Sequence, residues 1–159
     1  MLTALALTAL VHASEVATTK KLGVGVASGP FAISATGKYY LSEKSGISAY
    51  LGTSGVYHGA RVNFESEFVE FADWDFGRLD MYWDAGVDVG LWTYFGYSGA
   101  QIGVGGGVGV ELQFNKVPAS VFVDVGLGVY PLNLCSGYGA YAGFCLVSPR
   151  GAAGGRWYF

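Results

Sequence analysis

Asp80, Asp84 and Asp88 stand four residues apart in RLDMYWDAGVDVG, and Asp124 sits alone in SVFVDVG. Carboxylates gathered in a confined, weakly polar space attract cations, so these four suit either a cation path or a set of buried ion pairs with Lys38, Arg61 and Arg156. Asp73, Asp75 and Asp80, with Gly77 between them, alternate loosely as calcium-loop ligands do, but the closing glutamate and the full oxygen set are missing. A solvated turn is the expectation there. The glycines from Gly103 to Gly109 do not cradle phosphate, because Val108 takes the third glycine position of GxGxxG and no helix follows. His58 is the only histidine beyond residue 12, and nothing next to it in sequence supplies the nucleophile or acid that catalysis needs within hydrogen-bond reach. The expectation is therefore no enzyme, no metal and no cofactor. A lipid-modifying enzyme built on His58 is the alternative.

Those residues must be carried by strands. In QIGVGGGVGVELQF, Ile102, Val104, Val108, Val110, Leu112 and Phe114 share one face, and Gln101, Gly103, Gly105, Gly107, Gly109, Glu111 and Gln113 the other. A period of two is the signature of a β-strand with two unlike faces. The same parity puts Leu79, Met81, Trp83, Ala85, Val87, Val89 and Leu91 opposite Asp80, Tyr82, Asp84, Gly86, Asp88 and Gly90. It also puts Val121, Val123, Val125, Leu127 and Val129 opposite Ser120, Phe122, Asp124, Gly126, Gly128 and Tyr130, and Ala60, Val62 and Phe64 opposite Arg61, Asn63 and Glu65. Strands are predicted at 22–28, 30–41, 45–53, 57–66, 79–94, 100–114, 119–131 and 150–159, separated by Gly, Pro, Ser and Asn turn signals. Short links imply antiparallel neighbours. No helix-period pattern appears after the leader, so the apolar face must meet itself, a second sheet or lipid.

Composition narrows the choice. Glycine supplies 26 of 159 residues, about twice the ~7% of average proteins, aromatics reach 16% and charged residues fall to 13%. Richness in aromatic and β-branched residues excludes a disordered chain. A net charge of −3 with no basic stripe leaves nucleic-acid binding without support. Residues 1–13, MLTALALTALVHA, have the length and the small −3 and −1 residues of a signal peptide, although the basic start is missing. Residues 14–21 then form a polar leader, and 22–159 one barrel domain. Cys135 and Cys145, an even count in a chain that reads as exported, are expected to form a disulfide in a loop at 132–149.

With the apolar rows outside, the interior would be lined by Lys38, Arg61, Glu65, Asp80, Asp84, Asp88, Glu111, Asp124 and Arg156, six acids against three bases. Eight strands enclose just enough room for side chains, and glycines there offset the bulk of Tyr, Arg and Glu across the lumen. The cations and carboxylates are expected to pair and close it. Tyr39, Tyr40, Tyr57, Trp92, Tyr94, Tyr130 and Trp157, at strand ends, are candidates for interfacial girdles. The competing assignment is a soluble lipocalin-like barrel with the valine rows inside, around an apolar ligand.

By this alternation the chain resembles the small, porin-like, eight-stranded outer-membrane β-barrel proteins of Gram-negative bacteria. The last strand, GAAGGRWYF, is similar to the aromatic-ended C-terminal signal read by the barrel-assembly machinery, and Lys38 to Lys44 resemble a strand and tight turn recurring in such barrels. The resemblance implies an all-β, antiparallel up-and-down transmembrane barrel in outer-membrane lipid. It also implies an assembly signal in Trp157, Tyr158 and Phe159, with Trp157 and Phe159 facing lipid, and both termini, with the loop between strands four and five, on the periplasmic side.

Overall fold

The computed structural model describes residues 19–29, 32–94, 97–136 and 146–159. Eight antiparallel strands follow one another in chain order and close into a barrel. They are β1 (Leu22–Ser28), β2 (Ile33–Tyr40), β3 (Ser45–Thr53), β4 (Tyr57–Trp74), β5 (Gly77–Tyr94), β6 (Tyr97–Phe114), β7 (Ala119–Ser136) and β8 (Leu146–Tyr158). The seam is made by β1 and β8, paired from Gly23–Tyr158 to Ser28–Ala153. Closure removes the free edges that an open sheet of this composition would leave to aggregate. Among the described residues no helix is long and apolar enough to cross a membrane.

Parity sets the two surfaces. Val62, Val87, Val104, Val108, Val121, Val123, Val125 and Leu127 face outward and stay 46–62% exposed. Tyr40, Tyr82, Glu65, Glu111, Arg61 and Arg156 point inward and are buried. The valine rows therefore do not line the interior, and the packed interior is polar.

Five strands, β4 to β8, are longer than the alternation indicates, and the reason is local. The register of β4 on β5 slips between Glu67 and Val69 and again between Glu70 and Ala72. Each bulge adds one residue to β4. The pattern of two thereby becomes a pattern of three. Glu67, Glu70 and Asp73 pair with the inward residues Tyr82, Asp80 and Arg78, while Val69 and Ala72 pair with the outward Met81 and Leu79. Thus 67–74, expected as a loop, is strand, and β5 begins at Gly77. A third slip falls where Ile102–Leu132 gives way to Val104–Val129 in the β6–β7 ladder. It coincides with Pro131, which has no N–H to give. β7 runs on to Ser136 and β8 starts at Leu146, so the expected loop at 132–149 is strand at both ends. Gly107 and Gly126 face each other on β6 and β7, and a Cβ on either would strike the other strand's backbone. Their close approach lets the wall curve there.

Among the described residues, the outward-exposed aromatic rings are Tyr39, Phe64, Phe68, Phe71, Trp74, Phe76, Trp83, Trp157 and Phe159. All lie on the half of the wall nearer the chain termini, and Trp74 and Phe76 stack at 5.3 Å on the β4–β5 turn. Tyr40 and Tyr130, expected in the girdle, are buried inside. Tyr57 hydrogen-bonds Gln101, and Trp92 lies against Gly99 opposite Tyr57, so both belong to the inner face. Their even or odd position decides this, whatever their place at a strand end. The side chain of Tyr94 lies outside the description.

Candidate functional site

The lumen is the site, and β2, β4, β5, β6, β7 and β8 deliver its charges. Every residue expected there, Lys38, Arg61, Glu65, Asp80, Asp84, Asp88, Glu111, Asp124 and Arg156, is buried on the inner face, at 0–6% exposure. Eight of the nine fall into two groups and a rim, and Asp124 makes no ion pair among the described residues.

Nearer the termini, the Lys38 ammonium lies 2.6 Å from Glu111 Oε2 and 3.1 Å from Glu65 Oε2. The other Glu111 oxygen accepts from Ser120 Oγ at 2.5 Å and from the Tyr158 hydroxyl at 2.8 Å. Arg156 stands 3.8 Å from Glu111 and 3.9 Å from Glu65, donates to the Tyr50 hydroxyl at 2.8 Å and to Thr36 Oγ1 at 3.3 Å, and rests 3.9 Å above the Phe122 ring. Tyr40 covers Lys38 at 4.5 Å and accepts a hydrogen bond from Gln113. A buried pair needs such further donors and acceptors to offset desolvation.

Toward the other end, Arg61 Nε donates to Asp88 Oδ1 at 2.5 Å, and Arg150 Nε lies 3.3 Å from Asp88 Oδ2. Arg150 also donates to Asn63 Oδ1 at 2.9 Å and stands 3.9 Å from Asp84. The Tyr130 hydroxyl donates to Asp88. At the mouth beside the termini, Arg78 donates to Asp80 at 2.7 Å and lies 3.5 Å from Glu67.

Sequence reasoning missed Arg150, Arg78 and Glu67. Parity alone reveals Arg150, which stands six residues before Arg156 on the same face, and Arg78, two before Asp80. Glu67 is hidden because it sits beside the first β4 bulge. Asp80 consequently pairs with Arg78, not with the lumen cations. The expected offset of large against absent side chains is present: the Tyr158 ring fills the place of a Cβ at Gly23, Tyr82 that at Gly109, and Tyr130 that at Gly103.

Other candidates are separated by the fold. His58 pairs with Leu91 and Thr53 and faces outward with Ala60, whereas Arg61 and Asp88 face the lumen on the far side of the same wall. Asp73 and Asp80 belong to the two arms of one hairpin, where Asp73 opposes Arg78 and Asp80 opposes Glu70, so they are not the ligands of one calcium loop. Among the described residues no three His, Cys, Asp or Glu side chains converge as a metal would require. Gly103 to Gly109 lie within β6. Cys145 and the side chain of Cys135, and with them the expected disulfide, lie outside the described residues, as do residues 1–18 with the expected signal peptide. Trp157 and Phe159 are 48% and 66% exposed on the outer face, and Tyr158 between them is buried at 1%.

Comparison with protein-family profiles, with curated proteins and with solved structures yields no match to this chain.

Proposed function

We propose that the chain is a non-enzymatic transmembrane barrel of a Gram-negative outer membrane, whose lumen is closed by its own ion pairs. The observation that carries this reading is the inversion of polarity. Thirty or so large apolar side chains, among them Val125 at 62%, Leu127 at 62% and Phe71 at 68%, face outward, while four cations and their carboxylate partners fill the inside. Isolated exposed apolar residues are ordinary on soluble proteins, but a continuous belt of them around a whole barrel is a surface for hydrocarbon. In lipid, each backbone N–H and C=O must be satisfied internally, and a closed ladder does that.

Closure of the lumen follows from size and pairing. An eight-stranded barrel holds little beyond its own side chains, and Lys38, Glu65, Glu111 and Arg156 form a continuous layer backed by Tyr40, Tyr158 and Phe122. The barrel's work is then mechanical, or is done by its rims. Outward Trp157 on the closing strand β8, and Phe159 just past its end, suit recognition by the barrel-assembly machinery before β8 joins β1.

The test is refolding into detergent micelles followed by planar-bilayer recording. A heat-sensitive gel shift in detergent with no discrete conductance supports a closed lipid-facing barrel. A chain that folds and stays soluble without detergent overturns the membrane reading, and stable unitary steps overturn the closed lumen.

A further inference from the structure

The end of the barrel away from the chain termini carries no charged side chain. Asp, Glu, Lys and Arg are all absent from 49–60, 89–110 and 125–149, which include the whole of β4 to β7 beyond the level of Arg61 and Asp88. On the inner face of β4, β5 and β6 the register makes three rows. The deepest is Arg61, Asp88 and Gly103, the next is Gly59, Gly90 and Gln101, and the outermost is Tyr57, Trp92 and Gly99.

The glycines let the rings lie down. Tyr57 occupies the place of a Cβ at Gly90, Trp92 that at Gly99, and Tyr130, from β7, that at Gly103. The rings therefore line the wall instead of crossing the opening. Gln101 Nε2 donates to the Tyr57 hydroxyl at 2.5 Å, and the Tyr130 hydroxyl donates to Asp88 at 3.4 Å. Tyr57 and Tyr130 are electrostatic neighbours of each other and of both Arg61 and Asp88, so the four converge. The group near the termini shows the same kinds of side chain fully packed: Tyr40, Tyr82 and Tyr158 are each 1% exposed, and Gln113 is 0%. Tyr57, Trp92 and Gln101 stay half-buried. An aromatic lining left open, with a few hydrogen-bonding groups set into it, is the make-up of a small-molecule site. On its floor, Arg61 Nη2 is buried and has no hydrogen-bond partner among the described residues, which offers a donor to an oxygen and repels a cation.

We propose that this mouth binds a neutral saccharide. A sugar ring lies with its C–H face on Trp92 and Tyr57, and its hydroxyls meet the Gln101 amide and the Arg61 guanidinium. An aliphatic ligand would leave both of those polar groups without partners. A charged ligand finds no spare counter-ion, since Asp84 and Asp88 already offset Arg61 and Arg150. This goes beyond the closed barrel by giving the far rim a ligand, and it holds whether lipid or water lies outside the wall.

The experiment is a fluorescence titration of the full chain, refolded in a zwitterionic detergent that carries no sugar, with Trp74, Trp83 and Trp157 changed to Phe so that Trp92 reports alone. The probes are maltotriose, mannotriose and galactotriose, each taken to about 100 mM, which saturates a site with a Kd of several millimolar. At least one should give a saturable change. Gln101→Ala should weaken it about tenfold, the worth of one or two hydrogen bonds. Tyr57→Ala should weaken it as well, and Val125→Ser, on the outer face, should leave it unchanged. If Tyr57→Ala gives no folded gel band, Gln101→Ala decides alone. No saturable change with any of the three sugars would overturn the proposal, as would a change undiminished in Gln101→Ala. Saturation by tetramethylammonium instead of the sugars would also overturn it, by making the aromatic lining a cation cage.

Discussion

Lys38→Met removes the cation that lies nearer than Arg156 to both glutamates of the group nearest the termini. In the wild type its ammonium lies 2.6 Å from Glu111 and 3.1 Å from Glu65, with side-chain exposures of 0–2%. Methionine keeps most of the volume, so the perturbation is electrostatic. Glu65 then retains only Arg156 at 3.9 Å, and Glu111 retains Arg156 at 3.8 Å besides its bonds from Ser120 and Tyr158. Breaking a buried pair by deleting one partner costs about 3–5 kcal/mol, whereas an exposed pair is worth about 0–1 kcal/mol. The expected loss is therefore about 3 kcal/mol or more, and Lys38→Met/Glu111→Gln should recover a large part of it by removing the orphaned charge. Urea unfolding in lipid vesicles, followed by tryptophan fluorescence and the heat-dependent gel shift, measures both. A single-variant loss below about 1 kcal/mol, with no recovery in the double variant, would refute the reasoning. It would mean that water screens the lumen throughout.

Three other outcomes follow from the same geometry. Val125→Arg, on the outer face, should cost about 2–4 kcal/mol in vesicles, the depth-dependent penalty for a charge toward lipid, measured by urea titration. Gly126→Val should abolish the folded gel band, because its side chain would enter the β6 backbone at Gly106 and Gly107. His58→Ala should leave both stability and the lipid profile of the expressing cell unchanged, as read by lipid mass spectrometry; an altered profile would revive an enzymatic role.

Much of the wall was legible because parity is a rigid rule. Once Asp84 and Val87 are assigned to opposite faces, every other residue of β5 follows, and the nine lumen charges were found that way. Failure came where the rule is broken or misapplied. Two bulges turned ESEFVEFADW into a pattern of three that reads as a loop by alternation, and Glu67 went unseen with it. Tyr57, Trp92 and Tyr130 were assigned to a girdle from their place at strand ends, although their parity already placed them inside. Arg150 opens the strand predicted at 150–159 and shares the parity of Arg156, so its inward position was legible as well. In the structure Pro149 lies within β8 and pairs with Leu127 of β7. Which charge meets which could not be read at all, since that depends on how the register carries each residue around the closed wall.

The central claim is that the valine and aromatic rows face lipid while the charged rows do not. Two native tryptophans on β5 test it directly, since Trp83 is 40% exposed on the outer face and Trp92, on the opposite parity, lies against Gly99 on the inner face. Single-tryptophan variants, with the other tryptophans changed to Phe, would be refolded into vesicles of lipids brominated at defined depths along the acyl chain. The account expects strong quenching of Trp83 by bromine deep in the chain and little quenching of Trp92 at any depth. Quenching of Trp92 with Trp83 left untouched, or of neither, would contradict it.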